Sequence, residues 1–216
     1  MTPELTELIA PARVVVWDFD GPICRLFAGH EAKRAAAGPR ARLERQGRSP
    51  ELEELLTQEE LRAVSSAMPT AYADPLIRTW TALGARMAVA TDISPRAVRA
   101  YLDSRGLSSC FGPRVYGRTQ DLRRLDPDPP ALDRVLDAMG AVPAQALVIG
   151  DAPACLRAAR AAGVPFLGYV RDPDGRRLLR QAGASTVVGS LEPVLSALRA
   201  GPSGRTPPTP ALDRQP

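Results

Sequence analysis

The chain has 216 residues, 44% hydrophobic, 24% charged and 5% aromatic, with a formal net charge of +4, enough for one core or one core with a small insert. It contains no apolar run of about eighteen residues or more, and its first residues lack the apolar stretch of a secretory signal, so no membrane span or leader is expected. Its arginines are mixed with acids, and no basic block is interleaved with aromatics, so no nucleic-acid partner is expected either.

Residues 1–11 read as a short lead, about one helical turn. Arg13-Val-Val-Val-Trp17 is a compact β-branched run, the pattern of a strand buried on both faces in a parallel sheet. It ends in Asp18-Phe19-Asp20-Gly21-Pro22, where Gly and Pro force a turn. Residues 28–68 change character. They are rich in Ala, Arg, Glu and Leu, and Gly38-Pro39 and Ser49-Pro50 break them into short helices, with Ser49 a helix start. This predicts an all-helical insert. A helix over 70–84 follows, closed by Gly84.

From there strands and helices alternate. Strands are predicted at Met87–Ala90, Arg114–Tyr116, Ala146–Ile149, Phe166–Tyr169 and Ser185–Val188. Helices are predicted at Ser94–Arg105, Pro130–Met139, Pro153–Ala162, Gly175–Ala182 and Pro193–Ala200. Alternation of this kind implies an α/β fold with a doubly wound parallel sheet. The expected division is a core of residues 1–27 and 70–200, a helical cap at 28–69, and a Pro-rich disordered tail at 201–216.

In such a sheet, ligands sit beyond the carboxyl ends of the strands. Those ends carry Asp18 and Asp20 after the first strand, Thr91-Asp92 after the second, and Gly150-Asp151 after the fourth. Carboxylates gathered at one point repel unless a cation joins them, and hard oxygen donors favour Mg²⁺.

With this arrangement the sequence resembles the haloacid dehalogenase superfamily of phosphotransferases. The resemblance covers roughly residues 13–190: Asp18-Phe19-Asp20-Gly21-Pro22 after an apolar strand, Thr91 at the end of the next, and Gly150-Asp151 after Val148-Ile149. It implies a Rossmann-like core and a Mg²⁺-dependent phosphomonoester hydrolase. In that reading Asp18 is the nucleophile and Asp20 the acid/base, Thr91 and Asp92 lie at the phosphate, and Asp18, Asp20 (through its carbonyl) and Asp151 hold the metal. The implied partner is a small phosphorylated molecule bound by a monomer or dimer. Cys24, Cys110 and Cys155 lack any CxxC spacing and are read as reduced thiols of a cytoplasmic protein.

Two positions depart from the family pattern. Its Lys-Pro-x-Pro stretch stands here as Asp126-Pro127-Asp128-Pro129, and Lys33, in the insert, is the sole lysine of the chain. Arg123 and Arg124 could lend a guanidinium at the phosphate, with a geometry unlike that of an ammonium. The second acid expected four residues after Asp151 is Cys155, read as a small buried residue. These departures leave two readings: a weakened or arginine-compensated phosphatase, or a degenerate protein that binds Mg²⁺ or a phosphorylated ligand without turnover. His30, the single histidine, is read as a surface or cap-hinge residue, with Arg25 and His30 as possible liners of the cleft.

Overall fold

The computed structural model describes residues 3–28, 41, 49–118 and 132–201. In chain order the elements are α1 (Pro3–Ile9), β1 (Val14–Trp17), β2 (Cys24–Arg25), α2 (Pro50–Val64), β3 (Met68–Pro69), α3 (Ala73–Ala82), β4 (Arg86–Ala90), α4 (Pro95–Ser104), α5 (Ser108–Phe111), β5 (Val115–Tyr116), α6 (Leu132–Met139), β6 (Ala146–Gly150), α7 (Pro153–Ala161), β7 (Phe166–Tyr169), α8 (Pro173–Gln181), β8 (Thr186–Val188) and α9 (Glu192–Ala200).

Six strands form one parallel sheet in the order β5-β4-β1-β6-β7-β8. The apolar run expected to be buried on both faces is β1, and it lies inside the sheet, flanked by β4 and β6. All four of its residues are buried, and they alternate between two cores. Val15 and Trp17 pack on one face with Trp80, Met87 and Val89, while Val14 and Val16 pack on the other with Val135, Leu156 and Leu179. A strand covered on both faces has no polar side to show, which is why it reads as an unbroken apolar run. Trp80 of α3 meets Trp17 edge-on at 6.0 Å between ring centroids, a favoured aromatic geometry.

Chain order reverses at β1: the chain continues outward through β4 and β5 on one side, then returns through β6, β7 and β8 on the other. Such a reversal opens a crevice at the carboxyl ends of the central strands. The pairing Trp17–Val89 and Trp17–Ile149 brings Asp18 level with Ala90 and Gly150, one residue short of Thr91 and Asp151.

Within the described part of the insert, α2 is helical as predicted. Its start is set by Ser49, whose Oγ accepts the Leu52 N–H at 3.3 Å, with Pro50 in the first turn. The insert returns to the core through an antiparallel ladder of two residues a side, Cys24 with Pro69 and Arg25 with Met68. That stem was not predicted, because two residues carry no readable period. The one-turn helix α5 is likewise additional to the predicted elements, and α8 begins at Pro173, two residues before the predicted start. Asp172 caps α8 by accepting the Gly175 N–H at 2.7 Å. Residues 29–40 and 42–48 of the insert, His30 and Lys33 among them, lie outside the described residues, as does the tail beyond Gly201.

Candidate active site

Asp18 leaves β1 while still in the sheet register, its N–H donating to the Ile149 carbonyl at 2.8 Å. The chain then folds tightly. Phe19 is fully buried, and its carbonyl accepts the N–H groups of Ile23 and Cys24. This turn anchors both carboxylates. Asp18 Oδ1 accepts the Phe19 N–H at 2.7 Å, and Asp20 Oδ1 accepts the Leu26 N–H at 2.8 Å. Gly21 is required twice. Its φ is +105°, and a Cβ there would stand 2.4 Å from Asp151 Oδ2. The turn and the acid at the end of β6 therefore pack directly against each other.

Asp18 Oδ2 accepts a hydrogen bond from Cys155 Sγ at 3.2 Å. Asp18 and Cys155 also share the wall of a small pocket, otherwise lined by Val16, Ala90, Leu132, Val148 and Ala158. An apolar wall beside a carboxylate raises the cost of its charge. Burial pushes Asp18 up to about 7, reinforced by the negative charges of Asp151 and Asp92 and opposed by the Cys155 and Phe19 hydrogen bonds. Burial likewise lifts Asp151 to about 6, with repulsion from Asp20 and Asp92 adding to it. Burial, and then the charge of Asp18, push the Cys155 thiol far up, so it stays a protonated donor.

Asp18 and Asp151 therefore bind protons more tightly folded than unfolded. Acids of raised pKa weaken the fold once ionised, and the loss is relieved as pH falls through the folded pKa values. In metal-free buffer, stability should rise as pH is lowered from about 8 to about 5.5, and Asp18→Asn should flatten that rise. Thermal melts across this range check it; equal slopes for wild type and Asp18→Asn would remove Asp18 as the source.

The structure brings together Asp18, Asp20, Asp92 and Asp151, the predicted residues whose carboxylates feel one another. Thr91, 1% exposed, sits at the adjacent strand end with its N–H on the Tyr116 carbonyl at 3.0 Å. Arg123, Arg124 and Asp126 lie outside the described residues. Cys155, read from sequence as a small buried residue, instead contacts the predicted nucleophile. Its position in the first turn of the helix after β6, four residues beyond Asp151, was the available signal. Among the described residues, no group of three or more His, Cys, Asp or Glu side chains is arranged to hold a metal. The donors present are nonetheless carboxylate oxygens that repel one another. Mg²⁺ is commonly held by one or two carboxylates, with waters and phosphate oxygens completing its shell, so the donor set fits that ion.

A sequence profile of haloacid dehalogenase-like hydrolases matches residues 24–163. The chain belongs to this family. It is 37% identical over 115 residues to a phosphoglycolate phosphatase of Rhodospirillum rubrum, a match covering 51% of this chain and 46% of the relative. A phosphoglycolate phosphatase of Pseudomonas putida is 32% identical over 112 residues, 52% of this chain and 40% of the relative. The chain thus spans about half the length of the curated relatives it matches. The fold recurs in a haloacid dehalogenase family hydrolase from Deinococcus radiodurans with bound phosphate and sodium. That likeness has a TM-score of 0.65 at 21% identity and covers 88% of this chain and 96% of the other. Among the described residues no helix is long and apolar enough to cross a membrane.

Proposed function

We propose that this chain is a Mg²⁺-dependent phosphomonoester hydrolase of the cytoplasm, acting on a small phosphorylated molecule through an aspartyl-phosphate at Asp18. The observation that carries the reading is the pair of half-buried carboxyls, Asp18 and Asp151, which follow adjacent strands and are both held above the usual carboxylate range, the charge of Asp151 adding to the shift of Asp18. Such a pair is costly to the fold unless it serves a cation or a reaction. The phosphatases among its relatives support the same class of chemistry.

In this mechanism the Asp18 carboxylate attacks phosphorus and displaces the ester oxygen. The Phe19 N–H on Oδ1 and the Cys155 thiol on Oδ2 fix the plane of the attacking group. Asp20, tethered by the Leu26 N–H, gives a proton to the leaving alkoxide. It then takes one from the water that attacks the aspartyl-phosphate, releasing phosphate and restoring Asp18. Thr91 and Asp92 shape the phosphate side of the cleft. Mg²⁺, held by Asp18, Asp151 and the Asp20 carbonyl, would keep the carboxylates ionised and offset the charge of the phosphate dianion. Residues 28–69 form the cap of this reading, over a core of 1–27 and 70–200. Arg123 or Arg124 supplies the cation that Asp126 cannot.

Titration calorimetry tests the metal assignment. Asp151→Ala should weaken Mg²⁺ binding by at least about tenfold, and Cys155→Asp, which restores an acid beside Asp18, should tighten it by about the same factor. Unchanged binding in Asp151→Ala would remove that residue from the site.

One observation favours a second reading, binding without turnover: a thiol stands where the family pattern has an acid, and it occupies an oxygen of the nucleophile. Hydrolysis of a generic aryl phosphate with Mg²⁺, compared between wild type and Asp18→Asn, decides between the two.

A further inference from the structure

Behind the loop that follows β4 lies a buried ion network that the hydrolysis chemistry does not use. Arg118, two residues past β5, has a side chain only 6% exposed, facing Glu53 and Glu60 of α2, whose side chains are 1% and 0% exposed. Its Nε donates to Glu53 Oε2. Its Nη1 donates to Glu60 Oε1 at 2.7 Å and to the Asp92 carbonyl at 2.7 Å, and its Nη2 donates to Glu60 Oε2 at 3.0 Å. Glu60 Oε2 in turn accepts the Ser94 N–H at 2.9 Å. The Arg118 N–H donates to the Ile93 carbonyl at 3.2 Å. At the preceding residue, Gly117, a Cβ would stand 2.3 Å from that same Ile93 oxygen, so the close approach of the two segments depends on glycine.

Three successive residues of one loop, Asp92, Ile93 and Ser94, are thus gripped through their backbones by Arg118 and Glu60. Burying three charges carries a desolvation cost, and an apolar contact could dock α2 equally well. What the guanidinium fork adds is direction: it binds two carboxylates and a carbonyl at fixed angles. The loop it fixes begins at Thr91, and the Asp92 side chain within it already acts on Asp18 and Asp151 by its charge.

We propose that Arg118 and Glu60 are positioning residues that lock α2 and the Thr91–Ser94 loop into one unit, so that the seating of the insert helix sets the geometry of the phosphate side of the cleft. The role given to Thr91 and Asp92 rests on the phosphatase reading; the mechanical coupling does not.

Arg118→Lys keeps a charge but removes the fork, and Glu60→Gln keeps the shape but removes a charge. In both, amide hydrogen exchange of peptides covering 50–64 and 91–95 should accelerate together, by about tenfold. The KM for p-nitrophenyl phosphate and the inhibition constant of inorganic phosphate should also rise by about tenfold, with kcat changed less than about threefold. Should Arg118→Lys lose its fold, Glu60→Gln carries both readouts. Faster exchange in α2 with the 91–95 peptide unchanged would overturn the coupling. So would a folded variant with a lower Tm but unaltered KM and phosphate inhibition, because that is what a purely structural ion pair gives. Absence of any Asp18-dependent turnover in the wild type would overturn the phosphatase reading instead, leaving the exchange result to decide the coupling.

Discussion

Asp18→Asn is expected to lower kcat/KM toward a generic aryl phosphate by at least about 10⁴-fold at saturating Mg²⁺, with the fold intact. The amide is nearly the shape of the carboxylate, so the pocket wall it shares with Val16 and Val148 should survive. An amide cannot form the acyl-phosphate, and it carries no charge to hold a cation. The substitution also removes one member of a repelling pair, so the metal-free variant should be at least as stable as wild type near neutral pH. Loss of activity together with unchanged or raised Tm is therefore the expected signature. Steady-state kinetics and thermal melts on the same preparations check it. Retained turnover would mean that the nucleophile lies elsewhere.

The largest expected effect on stability comes from Arg118→Ala. The guanidinium is almost wholly enclosed, between two carboxylates that are themselves buried on α2. Removing it takes the Arg118 cation from two buried carboxylates, and breaking a buried ion pair by removing one partner costs about 3–5 kcal/mol. Exposed pairs such as Arg96 with Glu54 and Arg177 with Asp174 should by contrast contribute no more than about 1 kcal/mol. Chemical denaturation of Arg118→Ala and Arg177→Ala side by side measures the difference. A loss under about 1 kcal/mol for Arg118→Ala would mean that water reaches the network and that α2 is not held by it.

The central strands were legible because their cause is local. Val14–Trp17, Arg86–Ala90 and Ala146–Gly150 are buried on both faces or nearly so, and continuous burial selects continuous apolar sequence. Ser49 and Ser94 announced their helices for a similar reason: each hydroxyl accepts a backbone N–H within three residues. The carboxylates of the candidate site were legible from topology, since residues after adjacent parallel strands must meet.

What stayed hidden depends on contacts between distant segments. Arg118 lies 65 and 58 residues from its two partners, and nothing in its own neighbourhood marks it. The one trace is on α2, where Glu53, Thr57 and Glu60 share the face of the helix that is buried, an odd place for two acids unless a cation waits there. The Cys155 thiol was hidden for another reason. A cysteine after Asp151 reads as packing, and only the seating of α7 turns it onto Asp18.

The most direct test of the account is the mass of the protein quenched in acid during turnover of an aryl phosphate with Mg²⁺. One added phosphoryl group is expected, mapped by fragmentation to Asp18 and absent in Asp18→Asn. Steady hydrolysis with no phosphoryl group on Asp18, or with the label on another residue, would contradict it.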